Sequence, residues 1–150
     1  MIVLDVLGAP RPQARPRVFR VAGHPRVLSE KTGWYWRVHM AALYARGGGE
    51  ACIEGPVRLL MEHRMPRPKR LAKKATPAHI IKPDWDNLGK VSDALVGVLL
   101  ARDEQVVDGR VTKRYAEPGE SPGCRITIEP LAELAALSGE ARKAKEADRG

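Results

Sequence analysis

The pattern of hydrophobic and polar positions along the chain predicts five stretches of β-strand. Strands are typical of short runs rich in aliphatic and β-branched residues that are bounded by Gly, Pro, Asn or Asp. Such runs lie at residues 2–7, 18–28, 56–65, 105–115 and 124–129. The second run contains the turn sequence Gly23-His24-Pro25, so it predicts one or two short strands rather than a single long one.

A first helix is predicted from residue 29 to about residue 46. Ser29 is the expected N-cap, because its hydroxyl can accept a hydrogen bond from a free backbone N–H of the first turn. Apolar residues then recur at helical spacing and define one face, formed by Trp34, Val38, Ala41 or Ala42, and Ala45. The glycines at 47–49 favour the end of the helix there.

A second helix is predicted from residue 86 to residue 100. A turn of about 100° per residue places its apolar side chains on one face. These side chains are Leu88, Val91, Leu95, Val98 and Leu99. Lys90 and Asp93 fall within about 40° of Asp86 and form a charged stripe on the opposite side. We expect the apolar face to pack on the core, and we expect Trp85, which lies between two aspartates, to point inward as well.

The remaining segments are predicted to be loops or a tail. Residues 8–17 and 66–83 each contain at least three prolines, which disfavour a helix. Residues 131–150 are rich in Ala, Glu and Lys, and we expect a charged C-terminal helix or tail there, outside a domain at 1–130. Strands interleaved with two main helices indicate an α+β fold with a small mixed β-sheet.

The net charge and the lack of long apolar stretches limit the kinds of partner that the protein is expected to bind. The chain has 150 residues and a net charge of +8, and such an excess of Lys and Arg favours a polyanion. No stretch approaches the ~20 consecutive apolar residues of a membrane span, so we expect no membrane partner. The N-terminus does not read as a signal peptide, and two cysteines without a CxxC pattern favour a reduced, cytoplasmic setting over a zinc site.

The excess of positive charge concentrates in or beside the two proline-rich loops. The residues expected to contact nucleic-acid phosphates are Arg11, Arg15, Arg17, Arg67, Lys69, Arg70, Lys73, Lys74 and Lys82. Such contacts give an affinity that falls with salt, and they carry little sequence information. We expect His79 at the surface or against a phosphate, and Cys52 and Cys124 reduced and partly buried.

Carboxylates gather immediately after the second basic loop. Like charges held close together repel one another unless a cation or a proton lies between them. Asp84 precedes the second helix in an extended segment, so its side chain can point the same way as that of Asp86, and Asp103 can fold back toward the same point. Because Mg²⁺ prefers oxygen ligands, the sequence predicts a divalent-metal site that faces a phosphate.

The acidic segment resembles a known family. The run KPDWDNLGK at 82–90, the DAL at 93–95 and the DEQVV at 103–107 are similar to the RusA family of Holliday junction resolvases, which carry P-D-x-D-N-L-x-K, D-A-L and D-x-Q-[IV] in this order. The GAPRP at 8–12 resembles the loop after that family's first strand, and the resemblance covers roughly 2–129.

The resemblance implies a small homodimeric endonuclease that depends on Mg²⁺, with Mn²⁺ as a substitute. It implies a cytoplasmic protein, of bacterial or phage origin, that cuts four-way DNA junctions by paired nicks in recombination and repair. The family's catalytic residues fall on Asp84, Asp86, Lys90 and Asp103, and the three aspartates are the implied metal ligands. A water activated by the metal would attack the phosphodiester, while Lys90 neutralises charge on the phosphate.

Two departures from the family pattern leave alternatives open. The family usually has one more residue between the lysine and D-A-L, so the role of Asp93 stays undefined. Arg102 stands where the family often has an acid, so Asp103 acts alone or with Glu104. The alternatives are a non-catalytic basic nucleic-acid-binding protein, a metal nuclease acting on other branched DNA, and a catalytically weakened relative.

Overall fold

The structure is a computed structural model, and it describes residues 1–13, 17–28, 31–48, 52–71 and 75–132. The strands are β1 (Ile2–Leu7), β2 (Arg17–Val21), β3 (His24–Leu28), β4 (Val57–Met65), β5 (Val106–Tyr115) and β6 (Gly123–Pro130). The helices are α1 (Gly33–Arg46) and α2 (Trp85–Gly89), with 3₁₀ turns at Lys69–Leu71, Lys90–Leu95 and Asp103–Gln105. All the predicted strands are confirmed, and the second of them is the hairpin of β2 and β3.

Four strands form one mixed sheet in the order β1, β6, β4, β5. β4 and β5 are parallel, and β6 is antiparallel to both β1 and β4. A parallel pair needs a long crossover connection, and here the crossover between β4 and β5 carries α2 and the acidic motif. The predicted α+β class with a small mixed sheet is confirmed.

The sheet buries one of its faces. Successive side chains of a strand point to opposite faces, so Leu59 and Met61 of β4 and Ile126 and Ile128 of β6 lie together in the core. The opposite face carries charged side chains from all four strands. We call it the open face of the sheet, and it includes Asp5, Arg58, Glu62, Arg64, Arg114 and Arg125.

α1 covers the buried face of the sheet, and it begins later than the sequence indicates. Its N-cap is Thr32, whose hydroxyl accepts a hydrogen bond from the Tyr35 N–H at 3.2 Å. The prediction of a helix from residue 29 was therefore wrong, and Ser29 itself lies outside the described residues. The helix ends at Gly47, which has φ +66°, as predicted. Its buried residues are Trp34, Tyr35, Val38 and Ala42, whereas Ala45 is exposed.

The second predicted helix is much shorter than expected. α2 ends at Gly89, a 3₁₀ turn follows, and Gly97 has φ +78°, which no helix adopts. Glycine has a poor helix propensity, so these two positions break the helix although the apolar pattern continues. The carbonyl of Leu95 accepts hydrogen bonds from the N–H groups of Val98, Leu99 and Leu100, at 2.9–3.2 Å. The chain thus turns tightly here, and the predicted apolar side chains are still buried.

The part of the chain that the structure describes ends at residue 132, shortly after β6. The C-terminal helix or tail predicted at 131–150 lies almost entirely outside the described residues. None of the helices in the part of the chain that the structure describes is long and apolar enough to cross a membrane.

Candidate metal and DNA site

Asp84 and Asp86 lie at the start of α2. Asp84 is the last residue before the helix and has an extended backbone, with φ −67° and ψ 144°, whereas Asp86 lies in the first turn. Both side chains belong to exposed residues. The extended conformation predicted for Asp84 is confirmed, and the two carboxylates are accessible to a ligand from solvent.

Lys113 of β5 fixes the segment that leads to Asp84. Its ammonium donates hydrogen bonds of 2.8 Å to the carbonyl oxygens of Ile81 and Pro83. The Lys82–Pro83 peptide bond in this segment is cis. Sequence reasoning missed Lys113, because it lies 30 residues from Pro83 in the chain and only the strand pairing of β5 brings the two together.

Trp85 points outward, so the expectation that it packs in the core was wrong. Its side chain is 57% exposed, and its indole N–H donates a hydrogen bond of 2.7 Å to the carbonyl oxygen of Val111 in β5. The alternation of an extended strand does not apply, because α2 begins at this residue. The bond ties the start of α2 to the sheet and fixes the orientation of the indole.

Lys90 projects from the beginning of the 3₁₀ turn after α2. It is exposed, and its ammonium donates a hydrogen bond to the side-chain oxygen of Asn87 at 3.0 Å. An amide oxygen is a neutral partner, so the positive charge of Lys90 is not neutralised by this contact. Asn87, which the D-x-D-N-L motif contains, thus orients the lysine.

Asp103 begins the 3₁₀ turn in front of β5, and Gln105 holds this turn in place. The Gln105 side-chain oxygen accepts a hydrogen bond from the Arg102 N–H at 2.7 Å, and its amide donates to the carbonyls of Ile53 and Gly55, each at 2.8 Å. Gln105 is buried, whereas Asp103 is exposed. In the D-x-Q segment, Gln105 therefore fixes the turn to the neighbouring backbone, and the side chain of Asp103 is left exposed to solvent.

A cavity of about 250 Å³ lies between the sheet and the segment from α2 to the following 3₁₀ turn. We call it the motif cavity. Trp85 and Asp103 both line it, together with Gly89 and Ser92. Asp103 therefore lines the same groove as Trp85, the residue between Asp84 and Asp86.

We call Asp84, Asp86 and Asp103 the acidic site. Within the described residues, their carboxylates have no hydrogen-bond or salt-bridge partner. The described part of the chain also contains no group of three or more His, Cys, Asp and Glu side chains placed closely enough to hold a metal ion. The donor atoms are all carboxylate oxygens, which fit a hard divalent cation, and Mg²⁺ is commonly bound by one or two carboxylates with waters and phosphate oxygens.

The predicted DNA-contacting residues divide into three groups. Exposed side chains belong to Arg11, Arg17, Lys69, Arg70 and Lys82. Arg15, Lys73 and Lys74 lie outside the described residues. Arg67 instead braces its own loop, because its guanidinium donates hydrogen bonds to the Leu71 carbonyl and to the Thr76 hydroxyl.

His79 is buried, so the expectation of a surface position was wrong. Its ring lies against Tyr115 with the ring centroids 4.6 Å apart. Burial lowers the pKa of His79, and the nearby Lys113 lowers it further. Cys52 and Cys124 are both free, as expected, and burial raises the pKa of the Cys124 thiol to about 12.

A protein-family model matches most of the chain. It is described as Endodeoxyribonuclease RusA, and it matches residues 8–129, which include the whole acidic site. The protein is therefore an enzyme, a structure-specific endodeoxyribonuclease of the Holliday junction resolvase class. It belongs to the RusA endodeoxyribonuclease family, whose nucleases depend on a divalent metal and act on branched DNA.

A curated relative matches most of the chain. The chain is 32% identical over 126 residues to the uncharacterized protein YqaN of Bacillus subtilis (strain 168), a match that spans 77% of this chain and 89% of the relative. The resemblance to the RusA family that the sequence motifs predict is confirmed by the family model.

Proposed function

We propose that the protein resolves four-way DNA junctions by paired nicks in a Mg²⁺-dependent reaction, with Asp84, Asp86 and Asp103 as metal ligands. Mn²⁺ is expected to substitute for Mg²⁺. The observation that carries the proposal is that these three carboxylates are exposed and lack a partner among the residues that the structure describes. Two of them flank Trp85, and the third lies on the cavity that Trp85 lines.

The acidic site suits a cation that keeps part of its water shell. Asp84 and Asp86 provide oxygen ligands at the start of α2, and phosphate oxygens of the DNA and waters complete the coordination. We infer that Asp103 joins them when the metal binds, because it presents its carboxylate from the 3₁₀ turn that lines the same cavity as Trp85. When bound, a divalent ion would make a water more acidic and stabilise the charge that develops on the leaving oxygen.

Lys90 is the proposed catalytic cation. Its exposed ammonium carries donors beyond the one used on Asn87, so it can bind a non-bridging phosphate oxygen. The exposed Arg11, Arg17 and Lys82 are proposed to hold phosphates at either side. Arg15, Lys69, Arg70, Lys73 and Lys74 are proposed to act likewise. Arg67 is proposed to support the loop at 66–83, which carries all of these residues except Arg15.

The proposed oligomer is a homodimer. A four-way junction has two-fold symmetry, so a dimer with a two-fold axis would place one acidic site on each of two opposed strands. Paired nicks then follow from two identical sites. A cytoplasmic location is proposed with this function, because the substrate is cellular DNA.

The direct test is cleavage of a synthetic four-way junction whose strands are labelled one at a time. The wild-type chain should nick two opposed strands at symmetrical positions with Mg²⁺ and should cut a flap, a linear duplex and a single strand far more slowly. Asp86→Asn should bind the junction and fail to cut it.

The matched control is Asp108→Asn, which makes the same chemical change at an exposed aspartate that pairs with Arg58. This control should cut the junction at the wild-type rate. Cleavage by Asp86→Asn at that rate would refute the proposal, and a preference for flap or duplex over the junction would assign a different substrate.

A further inference from the structure

The motif cavity has apolar walls directly beside a site that is otherwise polar. Leu59 and Met61 of β4 and Val111 of β5 form its sheet side, and Gly89 lies on the side of α2. Exposed residues at its rim, Trp85, Asp103 and Arg110, show where it opens to solvent. Metal and phosphate binding give no reason for such an apolar space, so its chemistry points to a second kind of group from the same substrate.

The size of the cavity suits one planar heterocycle. Pockets for drug-sized ligands span about 300–1,000 Å³, and this cavity of about 250 Å³ lies just below that range. Apolar walls with a few polar atoms at the rim match a nucleobase, which has an apolar face and a polar edge. A phosphate or a sugar would lose hydration in such a space without gaining partners.

Trp85 at the mouth of the cavity is a fixed aromatic platform. Its ring cannot rotate freely, because the indole N–H is bound to the Val111 carbonyl, yet 57% of the side chain remains exposed. An exposed aromatic ring with a fixed orientation favours stacking, because little side-chain entropy is lost on binding. Stacking on a base is tolerant of sequence, since every base has a π-face.

Trp85 lies between two of the proposed metal ligands, so a base that stacks on it would belong to a nucleotide near the cleaved phosphate. Asp84 and Asp86 flank it in sequence, and Asp103 lines the same cavity. A phosphate bound to a cation that these carboxylates hold would therefore bring the attached nucleoside to the indole. Bases at a branch point have weaker stacking than bases within a duplex, so removing one from its stack costs less there.

We propose that Trp85 and the motif cavity bind one unstacked base of the branched DNA, next to the phosphate that is cut. Trp85 is then a specificity-determining residue that favours branched DNA over a continuous duplex. The inference rests on the proposed function, because it takes branched DNA as the ligand of the acidic site.

The test is a double-mutant cycle that combines a change of the Trp85 indole with removal of the base it is proposed to bind. Junctions are prepared intact and with one abasic site at each nucleotide that borders the branch point. Their affinities are measured by fluorescence anisotropy in the uncut complex, with Asp86→Asn as the common background. Trp85→Ala and Trp85→Phe are compared with Trp36→Ala, which removes an indole of similar exposure, 50%, from α1.

Trp85→Ala should weaken binding of the intact junction by about 5- to 30-fold. This loss should disappear in the junction that lacks the bound base. Trp85→Phe, which keeps an aromatic ring, should lose less than Trp85→Ala, and Trp36→Ala should bind every junction like the background. Thermal unfolding of each variant shows that the comparison is between folded proteins.

Two results would overturn the inference. The first is an unchanged affinity of Trp85→Ala for the intact junction. The second is an equal loss on the intact and on every abasic junction, which would assign Trp85 a contact to the backbone. Either result leaves the proposed function standing if the wild-type chain with Asp86 cuts the junction, whereas a failure of that cleavage alone would remove the proposed function.

Discussion

Two groups of carboxylates in this molecule have opposite surroundings. On the open face of the sheet, arginines bind the carboxylates, and we call this group the paired cluster. It consists of Asp5, Glu62, Arg64, Arg114 and Glu120. In the acidic site, Asp84, Asp86 and Asp103 have no partner among the described residues. The comparison separates carboxylates that stabilise the fold from carboxylates that are available to a cation from outside.

The contacts of the paired cluster are extensive. Arg114 binds Glu120 through two nitrogens, at 2.6 and 2.8 Å, and it also binds Glu62 at 3.0 Å. The hydrogen bonds from Arg114 lower the pKa of Glu120 to about 2, and the Glu117 N–H adds to the effect. Arg64, which is buried, pairs with Asp5. Glu120 therefore remains charged and bound to Arg114 over the whole range in which a DNA nuclease works.

The largest expected effect separates activity from stability. Asp84→Asn should lower the rate of junction cleavage by at least about 10³-fold, because a metal ligand contributes several kcal/mol to the transition state. Its free energy of unfolding should stay within about 0.5 kcal/mol of the wild-type value, since an exposed carboxylate without a partner adds little to the fold. Single-turnover cleavage and urea denaturation measure the two quantities.

Glu120→Gln provides the reverse case. It should cut the junction at nearly the wild-type rate while losing stability. If it lost cleavage while Asp84→Asn kept it, the assignment of the two groups would be reversed.

Arg64→Met is expected to cost about 1–2 kcal/mol in the free energy of unfolding. The change removes a buried guanidinium and leaves Asp5 without its salt-bridge partner, while Glu120 keeps Arg114 and both carboxylates are partly solvated. Arg125→Met is the control, because Arg125 lies on the same face of the sheet but is exposed, and it should change stability by less than about 0.5 kcal/mol. Equal effects of the two variants in urea denaturation would mean that the paired cluster does not stabilise the fold.

Metal should stabilise the free protein through the acidic site alone. At ten times the dissociation constant, a ligand that binds only the folded state adds about 1.4 kcal/mol. Thermal unfolding in Mg²⁺ and in EDTA should show this gain for the wild-type chain and for Glu120→Gln. The gain should be absent in Asp84→Asn, and its persistence there would place the ion elsewhere.

The smallest effect concerns acid. The pKa of Glu120 lies below its ordinary value of 4.5, so the stability it provides is complete above pH 4.5 and is lost as the pH falls toward 2. Because the group is partly exposed, we expect a loss of about 1 kcal/mol. Urea denaturation at pH 5 and pH 3 should show a steeper loss for the wild-type chain than for Glu120→Gln, and parallel losses would exclude Glu120 as the titrating group.

Much of this architecture could be predicted from local sequence. The strands were predictable because aliphatic and β-branched runs such as 2–7 are short and end at Gly or Pro. The second helix was not, because its apolar period continues to Leu99 although Gly89 and Gly97 break the backbone. A hydrophobic period indicates which side chains face the core, but it does not determine the backbone conformation that places them there.

The carboxylates of the candidate site could be predicted from the sequence, but the side chains that hold the surrounding backbone in place could not. Asp84, Asp86 and Asp103 stand out as charges in a recognisable order. Lys113 and Gln105 hold the backbone around them through carbonyls that are 30–52 residues away in the chain, and only the fold reveals such contacts. Trp85 was misjudged for the same reason, since the Val111 carbonyl that fixes it belongs to another element.

The most direct measurement is the affinity of the free protein for Mn²⁺, followed by electron paramagnetic resonance, in Asp103→Asn compared with Asp84→Asn and Glu104→Gln. We expect Asp103→Asn to weaken Mn²⁺ binding as Asp84→Asn does, while Glu104→Gln binds Mn²⁺ like the wild-type chain. Wild-type affinity in Asp103→Asn would contradict the claim that these three aspartates share one metal site.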